Sequence, residues 1–130
     1  MASLIYVCFY FSDKLRRGAI VGYDLKNMHG DEFSCRNKFW VGALWLASEG
    51  GWKPEGTNLG KPPEGYVYNE GALVSDEDAR GLARGLKKIL DDIPNDETKG
   101  VGLYARFSGD RKVGLVNLIE FARDGAFEIW

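Results

Sequence analysis

Any catalytic or metal-binding set in this chain would have to draw on one histidine, two cysteines and a handful of carboxylate pairs. His29 lies beside Gly30 in a polar turn. A lone histidine excludes a multi-histidine metal centre and leaves one candidate general base. Ser34 and Cys35 are the nearest nucleophiles along the chain, but nearness in sequence is not triad geometry, and no nucleophile motif surrounds them. Cys8 and Cys35 lack the spacing of a thiolate metal or redox site. Cys8 sits inside an apolar run and reads as a small buried hydrophobe, and no export signal supports a disulfide.

Three phosphate or cation motifs are incomplete. Gly100-Val101-Gly102-Leu103-Tyr104-Ala105 matches a dinucleotide fingerprint on paper, but a loop precedes it and strand-like residues follow, where the mechanism needs a strand and then a helix. Asp91, Ile93, Asn95 and Glu97 alternate faintly like a calcium loop, yet Asp96 stands where the turn needs glycine and Gly102 where a bidentate carboxylate is needed. Gly60-Lys61 is followed by Pro62, so it is not a phosphate-binding loop. The Asp76/Asp78 and Asp91/Asp92 pairs sit at helix ends, where capping and solvation account for them. No catalytic residue, metal ligand or cofactor is therefore assigned.

Two features ask for more than a bland explanation. Gly81 and Gly85 fall inside an amphipathic helix, where each costs about 1 kcal/mol relative to alanine. Close approach of another element along that flank would justify them. The element is another helix of the chain or, as an interface, a second subunit. The other feature is an aromatic loop: Trp52, Tyr66 and Tyr68 with the polar tips Thr57 and Asn69. Aromatics with a few polar groups suit a small-molecule pocket, and equally an interface or ordinary packing.

The elements that position these residues follow from periodicity. Leu4 to Phe11, apolar on both faces, reads as a central strand. Ser12 to Gly18 is a charged turn, Ala19 to Leu25 a second strand antiparallel to the first, and Asn27 to Asp31 a turn. Asn37 to Glu49 reads as a helix capped by Asn37 and apolar nearly all round, hence buried on most sides with Trp40 and Trp45 inside; only the side near Gly42 and Glu49 is open. Gly50-Gly51 ends it. Trp52 to Gly65 is a packed loop rich in glycine and proline, and Tyr66 to Val74 a short hairpin. Ser75 caps a second helix with Asp78 as box partner, and Pro94 stops it. Val101 to Phe107 reads as a strand, Arg111 to Arg123 as a third helix ended by Gly125, and Phe127 to Trp130 as a last strand.

Composition bounds the rest. The 130 residues suit a single domain, 1–130, with 45% hydrophobic and 28% charged residues, as in a globular protein. A net charge of -2 argues against nonspecific nucleic-acid binding. The basic groups Lys14/Arg16/Arg17, Arg36/Lys38 and Arg111/Lys112 are short, scattered and read as solvated surface. The apolar start lacks the charge order and cleavage site of a signal peptide, and no stretch approaches membrane-spanning length, so a cytoplasmic location away from membranes is the expectation.

Trp45-Leu46-Ala47, Gly51-Trp52, Pro54, Gly56-Thr57, Asn69, Gly71, Val74, Asp78-Ala79, Leu82-Ala83 and Leu86, with the ending Phe121 to Phe127, resemble a group of small bacterial proteins. These share a Gly-Trp-x-Pro-x-Gly-Thr stretch before an Asp-Ala/Leu-Ala helix. They commonly end with two glycines where this chain has Gly125-Ala126. No activity is established for that group, so the resemblance carries over no catalytic residue. The expected fold is α+β, about three helices on a small, mostly antiparallel sheet. The expected function is that of a noncatalytic bacterial accessory protein binding a macromolecular partner such as another protein, a second copy of itself or a small ligand. The alternative is a small enzyme or ligand-binding domain with an aromatic pocket at 52–70, using Glu70 or an aspartate as acid or base.

Overall fold

A computed structural model describes residues 5–7 and 22–130. The architecture is α+β: three substantial helices pack on a sheet in which all but one strand pairing is antiparallel. The strands are β1 (Ile5–Val7), β2 (Gly22–Asn27), β3 (Glu32–Arg36), β4 (Ala72–Val74) and β5 (Phe127–Ile129). Their order is β1-β3-β2-β5-β4. The helices are α1 (Asn37–Glu49), the single turn α2 (Glu64–Val67), α3 (Asp76–Leu90) and α4 (Lys112–Arg123). Among the described residues, no helix is long and apolar enough to cross a membrane.

Alternation in the strands fixes which face is covered. Tyr23 and Leu25 of β2, Phe33 and Cys35 of β3, Ala72 and Val74 of β4, and Phe127 and Ile129 of β5 are all buried. The intervening Asp24, Lys26, Glu32, Ser34 and Glu128 point the other way, and the Ser34 hydroxyl donates to Asp24 Oδ1 across the ladder at 2.7 Å. Rings tie the covered face to the helices. Phe33 meets Phe39 and Phe121, Phe127 meets Phe121 and Trp40, and Tyr23 meets Trp40, with centroids between 5.4 and 6.2 Å.

Several elements depart from the sequence reading. The strand expected over Leu4 to Phe11 is described only at Ile5–Val7, and it ends the strand order instead of lying centrally. It runs parallel to β3 and does not pair with β2. The reason is occupancy: β2 has β3 on one side through the Asn27 to Asp31 turn and β5 on the other. Leu4, Cys8 to Phe11, the charged turn with Lys14, Arg16 and Arg17, and Ala19 to Val21 lie outside the described residues. Strand β3 carries little strand signal in the sequence because its five residues hold only Phe33 and Cys35 as apolar positions. Tyr66 to Tyr68 is no strand: α2 occupies Glu64–Val67, and β4 pairs with β5. Val101 to Phe107 is no strand either, for Gly102–Arg106 winds as a 3-10 helix.

The three long helices lie close to their expected bounds. Arg36, not Asn37, is the N-cap of α1, and no side chain caps it. Ser75 caps α3 by accepting from the Asp78 amide at 3.1 Å, but the Asp78 carboxylate turns away from the cap. Helices α1 and α3 cross where glycines meet. A Cβ on Gly50 would lie 2.0 Å from the Gly85 carbonyl oxygen, and one on Gly85 would lie 2.6 Å from that of Ala47. This contact explains Gly85 within the chain.

The open side of α1 also differs from expectation. Trp40 is fully buried, but Trp45 is 65% exposed. Gly42, expected on the open side, is covered: a Cβ there would lie 2.8 Å from the Phe107 ring. The segment carrying Phe107 packs on the Gly42 side, which leaves Trp45 and Ser48 to face outward.

Candidate functional site

The loop from Trp52 to Val67 is organised around one buried carboxylate. Asp78 is 3% exposed. Its oxygens accept from the Glu55 amide at 3.0 and 3.2 Å, from the Gly56 amide at 3.1 Å, and from the Tyr66 hydroxyl in a short hydrogen bond. Its own carbonyl accepts from the Trp52 indole N–H at 3.0 Å. A buried carboxylate requires such donors, because an unpaired one is costly to desolvate. Burial first, then the bond to Asp78, raises the Tyr66 phenol above its ordinary pKa, so it stays a protonated donor.

The remaining loop contacts are equally committed. Thr57 Oγ1 donates to the Gly65 carbonyl at 2.9 Å, and Gly60 and Thr57 exchange backbone bonds at 2.8 and 3.1 Å. Gly65 is held so close that a Cβ there would lie 2.2 Å from the Gly60 oxygen. The Trp40 indole N–H donates to the Tyr66 carbonyl and the Tyr23 hydroxyl to that of Val67, both at 2.7 Å. The loop is thus bolted to β2, α1 and α3.

The residues singled out from sequence divide accordingly. Trp52 and Tyr66 come together, edge to face at 5.3 Å, with Thr57 in the same loop network. Tyr68 and Asn69 do not join them: both are exposed, and the Asn69 side chain donates to the Gly22 carbonyl at 3.2 Å. Gly81 accommodates the Trp52 ring, which a Cβ would approach to 2.9 Å. His29 and Glu70 are exposed on separate turns.

Beside this network runs a groove of about 280 Å³. One wall is a stripe of α1: Val41, Leu44, Trp45 and Ser48, the spacing that places residues on one helical face. The other wall is Pro54, Pro62, Pro63 and Val67, with Trp52 and Tyr66 between. No charged side chain lines it among the described residues. Sequence reasoning reached Trp52 and Tyr66 but not the α1 stripe or the prolines. The missed signal was Trp45, which with Val41 and Leu44 forms a second apolar face on a helix already carrying one.

Comparison with protein-family models, curated proteins and solved structures returns no match.

Proposed function

We propose that this chain is a noncatalytic binding protein that seats an uncharged, apolar segment of another protein in the groove between α1 and the 52–67 loop. The observation that carries this reading is Trp45, 65% exposed at the rim of an uncharged groove. Exposed indoles beside preformed apolar walls are typical anchors of protein recognition, and an i, i+3, i+4, i+7 stripe is the helical way of presenting one. The walls are held in place because the Trp52, Thr57 and Tyr66 side chains and the Glu55 and Gly56 amides are already bonded internally, so little ordering entropy opposes binding. The same commitment weighs against the enzyme reading. The oxygens of Asp78 are occupied by backbone amides and Tyr66, and Glu70 is exposed and does not line the groove.

The test is selection of displayed random peptides on the protein, with titration of the winners against wild type and Trp45→Glu. Peptides poor in charged residues should be enriched, and Trp45→Glu should weaken them at least about tenfold, the loss expected of a central anchor. Winners that bind both proteins equally would remove the groove from the account. Reversible dimerisation abolished by Trp45→Glu would instead name a second copy as the occupant.

A further inference from the structure

The fold gathers cations that the sequence scatters. Arg36 at the end of β3, Lys38 in the first turn of α1, Arg106 closing a 3-10 helix and Arg111 ahead of α4 line one concavity of about 310 Å³. Its floor is Phe39 and Phe107, and no carboxylate lines it among the described residues. Four positive side chains around one cavity stand out on a chain of net charge -2. The cavity shares no lining residue with the Trp45 groove.

The site is built, not merely charged. Glycines let both floor rings settle: Gly42 under Phe107 and Gly114 under Phe39, where a Cβ would come within 2.8 and 2.9 Å. The two rings meet edge to face at 5.4 Å. The segment bearing Arg106 and Arg111 is pinned by Ser108 Oγ donating to the Tyr104 carbonyl at 2.7 Å and by the Gly109 amide donating to the Pro94 carbonyl at 3.1 Å. Lys112 is drawn away, its ammonium donating to the Ile93 carbonyl at 2.8 Å and Asn95 Oδ1 at 3.0 Å, so of that sequence pair only Arg111 serves the cavity. Helix α1 also points its positive end here, with no side chain capping it.

We infer that this cavity binds an organic phosphate monoester, its phosphoryl oxygens held by Lys38, Arg106 and Arg111 and its apolar part set against the exposed ring edge of the Phe39–Phe107 floor and the methylene stems of the cations. Several cations exceed what a monocarboxylate needs, whereas a phosphate dianion offers multiple acceptors to guanidinium forks. Phe39 and Phe107, 7% and 1% exposed, offer only a ring edge, but with the methylene stems of the lysine and arginines around it this apolar surface favours an ester over the bare ion.

The test is calorimetric titration of phenyl phosphate, inorganic phosphate, benzoate and a short oligonucleotide at fixed ionic strength. Wild type is compared with Arg106→Gln/Arg111→Gln and with Arg84→Gln/Lys88→Gln, which removes the same charge elsewhere. Phenyl phosphate should saturate wild type and the control, bind more tightly than inorganic phosphate or benzoate, and weaken about a hundredfold in the Arg106/Arg111 double variant, about tenfold per charge-assisted contact. Lys38→Gln, an exposed single change, should weaken it about tenfold and serves if the double variant fails to fold. Equal binding to all variants, no saturation, preference for benzoate, or binding of the oligonucleotide alone would each overturn the inference.

Discussion

Replacing Asp78 by asparagine is a nearly isosteric change with a large expected cost. The carboxylate accepts from two backbone amides and one phenol while 3% exposed. Asparagine keeps one accepting oxygen and turns an NH2 group toward donors that had faced the other. At least one charge-assisted bond is lost, worth about 1.5–3 kcal/mol, and a buried donor is left unsatisfied at about 1–3 kcal/mol. A loss of about 3 kcal/mol is therefore expected, a large part of the ~5–15 kcal/mol that holds a domain together. Tyr66→Phe removes one donor and leaves the carboxylate its amides, so about 1–2 kcal/mol is expected there. The assay is urea unfolding followed by tryptophan fluorescence, with the slope compared so that a changed midpoint reports stability. Because the two side chains share one bond, the double variant should lose less than the sum. An Asp78→Asn protein within about 0.5 kcal/mol of wild type would refute the clamp, since surface changes fall in that range.

Further outcomes follow from the same contacts. Tyr66 and Tyr23 both have phenols raised above the ordinary value by burial; the bond to Asp78 adds to the first and the neighbouring Cys35 to the second. Each contributes stability fully present below about pH 10, the unfolded value, and lost as pH rises beyond it, at about 1.4 kcal/mol per unit until the folded phenol itself ionises. Urea midpoints between pH 9 and 11 should fall steeply in wild type and less in Tyr66→Phe. Gly85→Ala should destabilise despite alanine's higher helix propensity, by about 1–3 kcal/mol as overpacking does, because its Cβ would meet the Ala47 carbonyl oxygen at 2.6 Å; thermal unfolding checks this. Trp45→Ala, by contrast, should leave the unfolding free energy within about 0.5 kcal/mol of wild type, as an exposed side chain does.

What the sequence disclosed was local. The cap at Ser75, the stripe from Ala79 to Ile89 and the stop before Pro94 are written within a few turns, and α3 forms over Asp76–Leu90. Long-range pairing is not so written. Nothing near Ile5 announces a parallel partner at Glu32, and Tyr66 looks like a strand until Gly65 is seen seated against Gly60. For the candidate site, Trp52 and Tyr66 were legible as aromatics in a turn-rich loop, but Trp45 was not, because an all-round apolar helix does not say which side its neighbours leave uncovered. Arg36, Lys38, Arg106 and Arg111 looked like unrelated surface charge because only tertiary folding brings the end of β3 beside the approach to α4.

The central claim, a rigid apolar groove with Trp45 as its anchor, is tested most directly by iodide quenching of a Trp130→Phe protein. That change removes the other exposed indole, leaving Trp45 at 65% exposure with Trp40 and Trp52 at 0% and 8%. One accessible emitting fraction should appear in the free protein and vanish when a selected apolar peptide saturates the groove. An indole at Trp45 that stays equally quenchable in the complex, or is shielded from iodide before any peptide is added, would contradict the account.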